Sequence, residues 1–396
     1  MRTTELETAR GESSPAPLRT ERHRSLGIAL LLESDGPGGA ERMLLQLAEA
    51  LRDRGHSVCP VGPANGCGWL ADEFRRRGFA PELFALRRRL DLPCLLGLVK
   101  TLRRRGVDVV HSHDFMIAVY GAAAAALLRR PHVITMHGGR YFAGRWSRRV
   151  ALRWATRRSA GAVAVSAALQ ADLASVLRLP RDTIRVLHNG IRPVVGSPDG
   201  VRRELGIGDE EPLIVAIGNL YPVKGHIVLL QALRTLLDRP GLARCHVAIA
   251  GRGEENDTLR AYAAAQGFAD RVHLLGYRED VADLLAAADV FALPSRSEGV
   301  PLALLEAMFA GKGIAASAVG GVPEVVTPER EALLVPPDDP ASLASALARL
   351  LDDSALRYRL GHAARARADR AFTVETMVDG YLHLYADALG SRTAAE

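Results

Sequence analysis

One local pattern occurs twice in this sequence and constrains the fold more than any other feature: an apolar run of strand length, a glycine-bounded turn, then an amphipathic helix. The first copy is Leu26 to Leu32, then Ser34-Asp35-Gly36-Pro37-Gly38-Gly39, then Ala40 to Arg54. The second is Leu213 to Ile217, Gly218 to Gly225 and His226 to Arg239. Further short apolar runs follow each copy. They are Val107 to His111, Val133 to His137 and Ala162 to Ser166 in the first half, and His246 to Ala250, Val272 to Leu275, Val290 to Pro294 and Ile314 to Ala318 in the second. Helical stretches separate them, as in parallel sheets wrapped by helices. The expected class is α/β, with two parallel-sheet domains whose strand ends face one cleft, where open sheets of this kind bind ligands. The Pro- and Gly-rich stretch Ile191 to Gly200 is the expected linker, giving domains over residues 25–192 and 193–374.

A chain of 396 residues with 48% apolar content is long enough to bury two such cores. Cys59, Cys67, Cys94 and Cys245 form no C-x-x-C pair and no regular spacing, which argues against a zinc site or a disulfide framework and for a reducing compartment. No apolar run reaches the roughly 18 residues of a membrane span; Gly121 to Leu128 stops at Arg129-Arg130. The first 24 residues, with Ser13-Ser14-Pro15-Ala16-Pro17, lack the apolar core of a secretory signal and read as a disordered leader. The expected location is cytoplasmic, with attachment to the inner face of a membrane left open.

Charge is distributed unevenly. Residues 1–190 carry 30 Lys+Arg against 17 Asp+Glu, and residues 191–396 carry 21 against 28. A basic first half suits nucleic acid, an anionic membrane or an acidic substrate. With only 5% aromatics and no nucleic-acid motif, nucleic acid is the least favoured. Arginine supplies nearly all positive charge, since the only lysines are Lys100, Lys224 and Lys312.

That makes Gly218-Asn219-Leu220-Tyr221-Pro222-Val223-Lys224-Gly225 notable, because it opens a helix whose free N–H groups and dipole favour an anion, with Lys224 placed to meet a phosphate. The alternative is a capped surface turn with a solvated lysine. More informative is Ser295-Arg296-Ser297-Glu298-Gly299-Val300-Pro301-Leu302-Ala303-Leu304-Leu305-Glu306. Glu298 falls in a strand-to-helix loop and Glu306 within an apolar helix, where a carboxylate is costly unless polar partners such as sugar hydroxyls meet it. The plainer reading has Ser297 capping the helix and Glu306 pointing to solvent.

Gly38-Gly39-Ala40-Glu41 is a tight turn suited to a phosphate or sugar, but it is not the G-x-G-x-x-G dinucleotide pattern. His137, before Gly138-Gly139, ends a strand where open-sheet ligands bind. His111-Ser112-His113-Asp114 invites a metal reading because alternate residues share a strand face, yet no second ligand cluster answers it. Arg145 to Arg158 places Trp146, Val150 and Trp154 at i, i+4, i+8 among arginines. Such a helix either lies on an anionic bilayer or packs its tryptophans into the first domain.

Taken together these motifs resemble family 4 of the retaining glycosyltransferases, which adopt two facing Rossmann-like domains, the GT-B fold. The similarity runs from about Leu26 to Leu389, and its most specific part is the Glu-x7-Glu element of Glu298 and Glu306 followed by Val319-Gly-Gly-Val-Pro-Glu-Val-Val. The resemblance implies that Glu306 bonds the donor ribose and Lys224 the diphosphate. It implies that Glu298, with the Gly299 and Val300 amides, bonds the donor sugar, that Gly39 approaches the phosphates from the first domain, and that His137 sits beside the transferred sugar. Asn189-Gly190 matches the stretch leading into the linker, and a last helix near residues 375–390 is expected to return to the first domain. Asn219 departs from the family, many of whose members carry an arginine there; either Arg252 substitutes for it or donor affinity is lower. The implied partners are a UDP- or GDP-sugar donor and a lipid-linked, polysaccharide or small-molecule acceptor, with no metal cofactor. The rivals are a sugar-nucleotide epimerase or phosphorylase of the same fold and a non-catalytic nucleotide-sugar or glycan binder.

Overall fold

The structure, a computed structural model, describes residues 25–88, 90–138 and 145–393. The leader and Gly139 lie outside the described residues. The chain begins with β1 (Gly27–Leu32), α1 (Gly39–Asp53), β2 (Ser57–Pro63), α2 (Trp69–Arg76) and β3 (Glu82–Phe84). It continues through α3 (Leu92–Arg104), β4 (Val109–His113), α4 (Phe115–Leu128), β5 (His132–Met136) and α5 (Trp146–Arg158). β6 (Gly161–Ala164), α6 (Ala167–Leu177) and β7 (Arg185–Val186) complete the first sheet. The second unit holds α7 (Val201–Leu205), β8 (Leu213–Ile217), α8 (His226–Leu237), β9 (His246–Ala250), α9 (Asn256–Ala265) and β10 (Val272–Gly276). Then come α10 (Val281–Ala287), β11 (Val290–Leu293), α11 (Leu302–Phe309), β12 (Gly313–Ser317), α12 (Val322–Val325) and β13 (Leu333–Val335). Three helices close the chain: α13 (Pro340–Asp352), α14 (Ser354–Ala371) and α15 (Val374–Thr393).

The sheets have the orders β3-β2-β1-β4-β5-β6-β7 and β10-β9-β8-β11-β12-β13, with parallel neighbours throughout. In both, the strand order reverses between the first strand and the fourth, so a crevice opens beyond the carboxyl ends of β1 and β4 and again beyond β8 and β11. Every apolar run expected to be a strand lies in one of these strands, shifted by a residue or two in several cases. Four strands were not expected. In β2 the residues Pro60, Gly62 and Pro63 interrupt the apolar pattern, and β3, β7 and β13 are only two or three residues long, too short for a periodicity to show.

The chain passes between the two units in both directions at one place. The Ile191 N–H donates to the Phe372 carbonyl (2.9 Å) and the Val374 N–H to the Ile191 carbonyl (3.1 Å), so the outgoing and returning chains run side by side. From there α15 packs on the first sheet: the Tyr385 hydroxyl meets His111 Nδ1 at 2.6 Å and the Tyr381 hydroxyl meets Thr135 Oγ1 at 3.1 Å, all four side chains buried. Full burial holds both tyrosine hydroxyls well above their usual pKa. One apolar core runs from β1 and α1 through α11 to α15, binding both units into one body.

Candidate functional site

The crevices at the two strand-order reversals face each other, and a cavity of about 250 Å³ lies between them. Its walls include Gly38 and Gly39 beyond β1, His137 beyond β5, Gly218, Asn219 and Lys224 beyond β8, and Glu298, Gly299, Val300 and Glu306 from the loop after β11 and from α11. Residues scattered over the whole sequence thus meet at one place.

Lys224 sits in a short 3-10 turn that Gly225 ends at φ +64°, a left-handed conformation most residues resist. A Cβ on Gly225 would also collide with the Pro294 carbonyl, so glycine lets the loops after β8 and β11 touch. As a result Lys224 Nζ donates to Glu298 Oε1 at 2.7 Å, and the Ser295 hydroxyl donates to the same oxygen at 2.7 Å. The Glu298 side chain is 6% exposed. Gly320, at φ +51°, and Gly321 press on the backbone of Glu298 and Gly299, where any Cβ would clash. The Val319-Gly-Gly-Val-Pro motif is therefore the seat on which Glu298 is held.

Glu306 projects from α11 into the cavity, not into solvent, and burial raises its carboxyl pKa against the opposing pull of Arg42, 3.7 Å away. Ser297 caps nothing; Pro301 occupies the N-cap of α11. The sequence reading did not include Arg42, which reaches from α1 across the domain boundary toward the Tyr277 hydroxyl (3.5 Å) and the Arg278 carbonyl (3.4 Å). Arg252, the candidate substitute for an arginine at position 219, is exposed and lies over the Tyr277 ring, 4.9 Å from its centroid. Tyr277 is thus flanked by two guanidiniums and lines the cavity itself. Arg42 lies one turn into the helix that follows Gly38-Gly39, a position where the pattern gives no hint of reach.

His137 stands half-buried at the edge of a buried pair, His111 and His113. His137 Nε2 and His113 Nδ1 are 2.9 Å apart and share one hydrogen, and the His111 ring lies 4.1 Å from that of His113, on the same strand face. The remaining nitrogens, His137 Nδ1 and His113 Nε2, meet no hydrogen-bond partner among the described residues. His111 is spent on Tyr385 and Thr135, and no three His, Cys, Asp or Glu groups among the described residues gather to hold a metal ion. Asp114 adopts φ +67°, ψ −169°, a strained conformation for a side-chain-bearing residue, and its Oδ1 accepts the His137 N–H at 3.4 Å.

Burial lowers the pKa of His137 to about 4 and of His132, bonded between Ser112 and Ser159, to about 3. The unfolded chain takes up these protons near pH 6.5 while the native state refuses them, so stability is full above about pH 6.5 and falls as pH drops toward 4. His132, which is fully buried, is worth ~3 kcal/mol between those limits. Urea midpoints from pH 7 to pH 4 are expected to fall steeply, and less so in His132→Gln; a flat profile would contradict the burial of these rings.

Contacts across the cleft complete the site. Asn189 Nδ2 donates to the Val300 carbonyl at 2.9 Å, and the Glu324 carboxylate accepts the Ala167 and Ala168 N–H groups at the start of α6 (2.7 and 2.8 Å) and faces His188 Nε2 at 3.2 Å. Gly299 abuts the His137 carbonyl so closely that a Cβ would overlap it. The domains are closed on each other.

Two family models match the chain: Glycosyltransferase Family 4 over residues 37–194 and Glycosyl transferases group 1 over residues 199–367. The Escherichia coli UDP-Gal:alpha-D-GlcNAc-diphosphoundecaprenol alpha-1,3-galactosyltransferase is 28% identical over 75% of this chain and 80% of its own. The alpha-maltose-1-phosphate synthase of Mycobacterium tuberculosis is 31% identical over 73% of this chain and 81% of its own. Among solved structures, Anabaena HepE in complex with UDP-glucose superposes with a TM-score of 0.78 at 24% identity, covering 92% of this chain and all of that one.

Proposed function

This chain belongs to the family 4, group 1 glycosyltransferases, and from that premise we propose that it moves a hexose from a uridine diphosphate sugar to a lipid-linked acceptor, with retention of configuration and without a metal ion. The observation that carries the reading is the meeting of Lys224, Glu298, Glu306 and His137 around one cavity between both strand-order reversals. In this reading the second domain holds the donor and the first presents the acceptor. Lys224 and the N–H groups opening α8, which no side chain caps, face the diphosphate. Glu306 takes the ribose hydroxyls. Glu298 and the Gly299 and Val300 amides take sugar hydroxyls, and the unpartnered His137 Nδ1 meets another.

The bond from the anomeric carbon to the β-phosphate oxygen breaks through an oxocarbenium-like transition state, and the acceptor oxygen bonds the same face. The acceptor's proton passes to the departing diphosphate, whose charge Lys224 and the α8 amides stabilise. That charge stabilisation replaces a divalent cation, so full activity in EDTA is expected. The uridine donor and lipid-linked acceptor draw support from the name of the E. coli relative. A lipid-linked acceptor places the enzyme at a membrane surface; no described helix is long and apolar enough to cross one.

The test is a thermal-shift panel of UDP, GDP and ADP, since a ligand at 100 times its Kd adds ~2.7 kcal/mol. UDP is expected to stabilise the wild-type protein and not Glu306→Ala, while Glu298→Ala keeps the shift but transfers slowly. Stabilisation by GDP alone would replace the uridine donor. Silence from every nucleotide would favour a non-catalytic glycan binder, and an epimerised nucleotide sugar as product would favour the epimerase.

A further inference from the structure

We propose that the outer face of α3 and α5 on the first domain is a docking surface for an anionic lipid bilayer, oriented so that the cleft opens at the headgroups. The inference extends the lipid-linked acceptor reading by naming the surface that would bring enzyme and acceptor together. It stands on where the apolar and charged side chains lie.

In α5, Trp146 is 71% exposed, Val150 55% and Trp154 42%. Of the two readings open for this helix, packing of its tryptophans into the domain is therefore not what the fold does; Leu152 and Ala155 fill that role instead. A second helix behaves alike, though no pattern in its sequence marks it. In α3 the residues Leu92 and Leu96 are 61% and 55% exposed, with Leu90 exposed just before the helix. Both helices pack against α4, on the same face of the first sheet. Helices in such a sheet run antiparallel to the strands, so their first turns lie at the carboxyl ends of the strands, the cleft side. Leu90, Leu92, Leu96, Trp146 and Val150 all belong to the first two turns of these helices or precede them directly.

The charge of this layer matches one partner. Across α3, α4 and α5 there is no Asp or Glu, while α3 carries Lys100, Arg103 and Arg104, and α5 carries Arg148, Arg149, Arg153, Arg157 and Arg158. Of the acids beside the layer, Asp91 is buried and accepts the Arg87 and Cys94 N–H groups, and Glu82 pairs with Arg104 and Arg105 at the far end of α3, leaving the other cations of the two helices to set the sign of the face. Tryptophan, leucine and valine set among arginines are the makeup of an interfacial helix on anionic lipid. A second copy of the chain would bring two cationic faces together, and Leu90, Leu92, Leu96 and Val150, which outnumber the two tryptophans on this face, offer nucleic-acid bases no stacking surface.

The experiment is flotation of the full chain with phosphatidylcholine vesicles, with and without phosphatidylglycerol, at low and high salt. Binding is expected only with phosphatidylglycerol, weaker at high salt, and reduced by about tenfold or more in Trp146→Ser/Trp154→Ser and in Leu92→Ser/Leu96→Ser. UDP thermal shifts on the same preparations report folding and the donor site independently. Quenching of wild-type tryptophan emission by brominated lipid tests insertion with no variant at all. Flotation that ignores both double variants, no flotation with either vesicle, or self-association or RNA binding that the tryptophan variant abolishes would overturn the proposal. Vesicle binding without any nucleotide shift would leave this surface standing and remove the donor reading instead.

Discussion

Lys224→Ala is expected to lower the transfer rate at saturating donor by about 10²–10³-fold, the usual cost of removing one preorganised group from a developing charge. Two consequences follow from the 2.7 Å contact of Lys224 with Glu298. The departing diphosphate loses its cation, and an almost wholly buried carboxylate keeps, among the described residues, the Ser295 hydroxyl as its side-chain partner. The second effect costs stability of about 1–3 kcal/mol, so the variant should melt lower as well as react slower. The double variant Lys224→Ala/Glu298→Gln separates them: removing the carboxylate charge should restore the melting temperature and leave the rate low. Wild-type turnover in Lys224→Ala would remove Lys224 from the chemistry. Recovery of rate together with stability in the double variant would make the pair purely structural.

Gly299→Ala is expected to cost about 10²-fold in the same rate, because misplacing reacting groups by about an ångström is worth that much. The added methyl would overlap the His137 carbonyl and crowd Val165 on the opposite domain. Neither backbone can yield alone. The Gly299 loop is seated on Gly320 and Gly321, and the His137 N–H is held by Asp114, so the relief is a wider cleft. Small-angle X-ray scattering should show a more open particle, and stopped-flow mixing a slow step that wild-type protein lacks. Retention of full activity would mean that the closed contact between Gly299 and His137 is not the reactive arrangement. Gly241→Ala is the control, since a Cβ there meets nothing within 4 Å and the position lies away from the cleft.

Both predictions turn on glycines that the sequence displays but whose purpose it does not. Gly225, Gly299 and the Gly320-Gly321 pair stand in loops between strand and helix, which marks them as turns. That they exist to let one loop's backbone rest on another's is visible only once β8 lies beside β11 and the first domain closes on the second. Arg42 was missed for a related reason: nothing near it in sequence distinguishes it from the other arginines, and its meeting with Glu306 spans the two domains. Glu324 was read only as part of a motif, yet its carboxylate holds the start of α6 across the cleft.

The two α/β units, their strand-turn-helix openings, the lysine in its glycine-bounded turn and the spacing that puts Glu298 in a loop and Glu306 on a helix are all legible along the chain. These are short-range properties, written in periodicity and in the stereochemistry of glycine and proline within about ten residues. Tertiary structure alone decided that Lys224 would pair with Glu298, 74 residues away, that His111 would be consumed by Tyr385, 274 residues away, and that Trp146 and Leu92 would be left facing outward from one helical layer. Those outcomes depend on strand order and on which helix faces find a partner. Many sheet orders satisfy the same local pattern, and only the packed chain selects one.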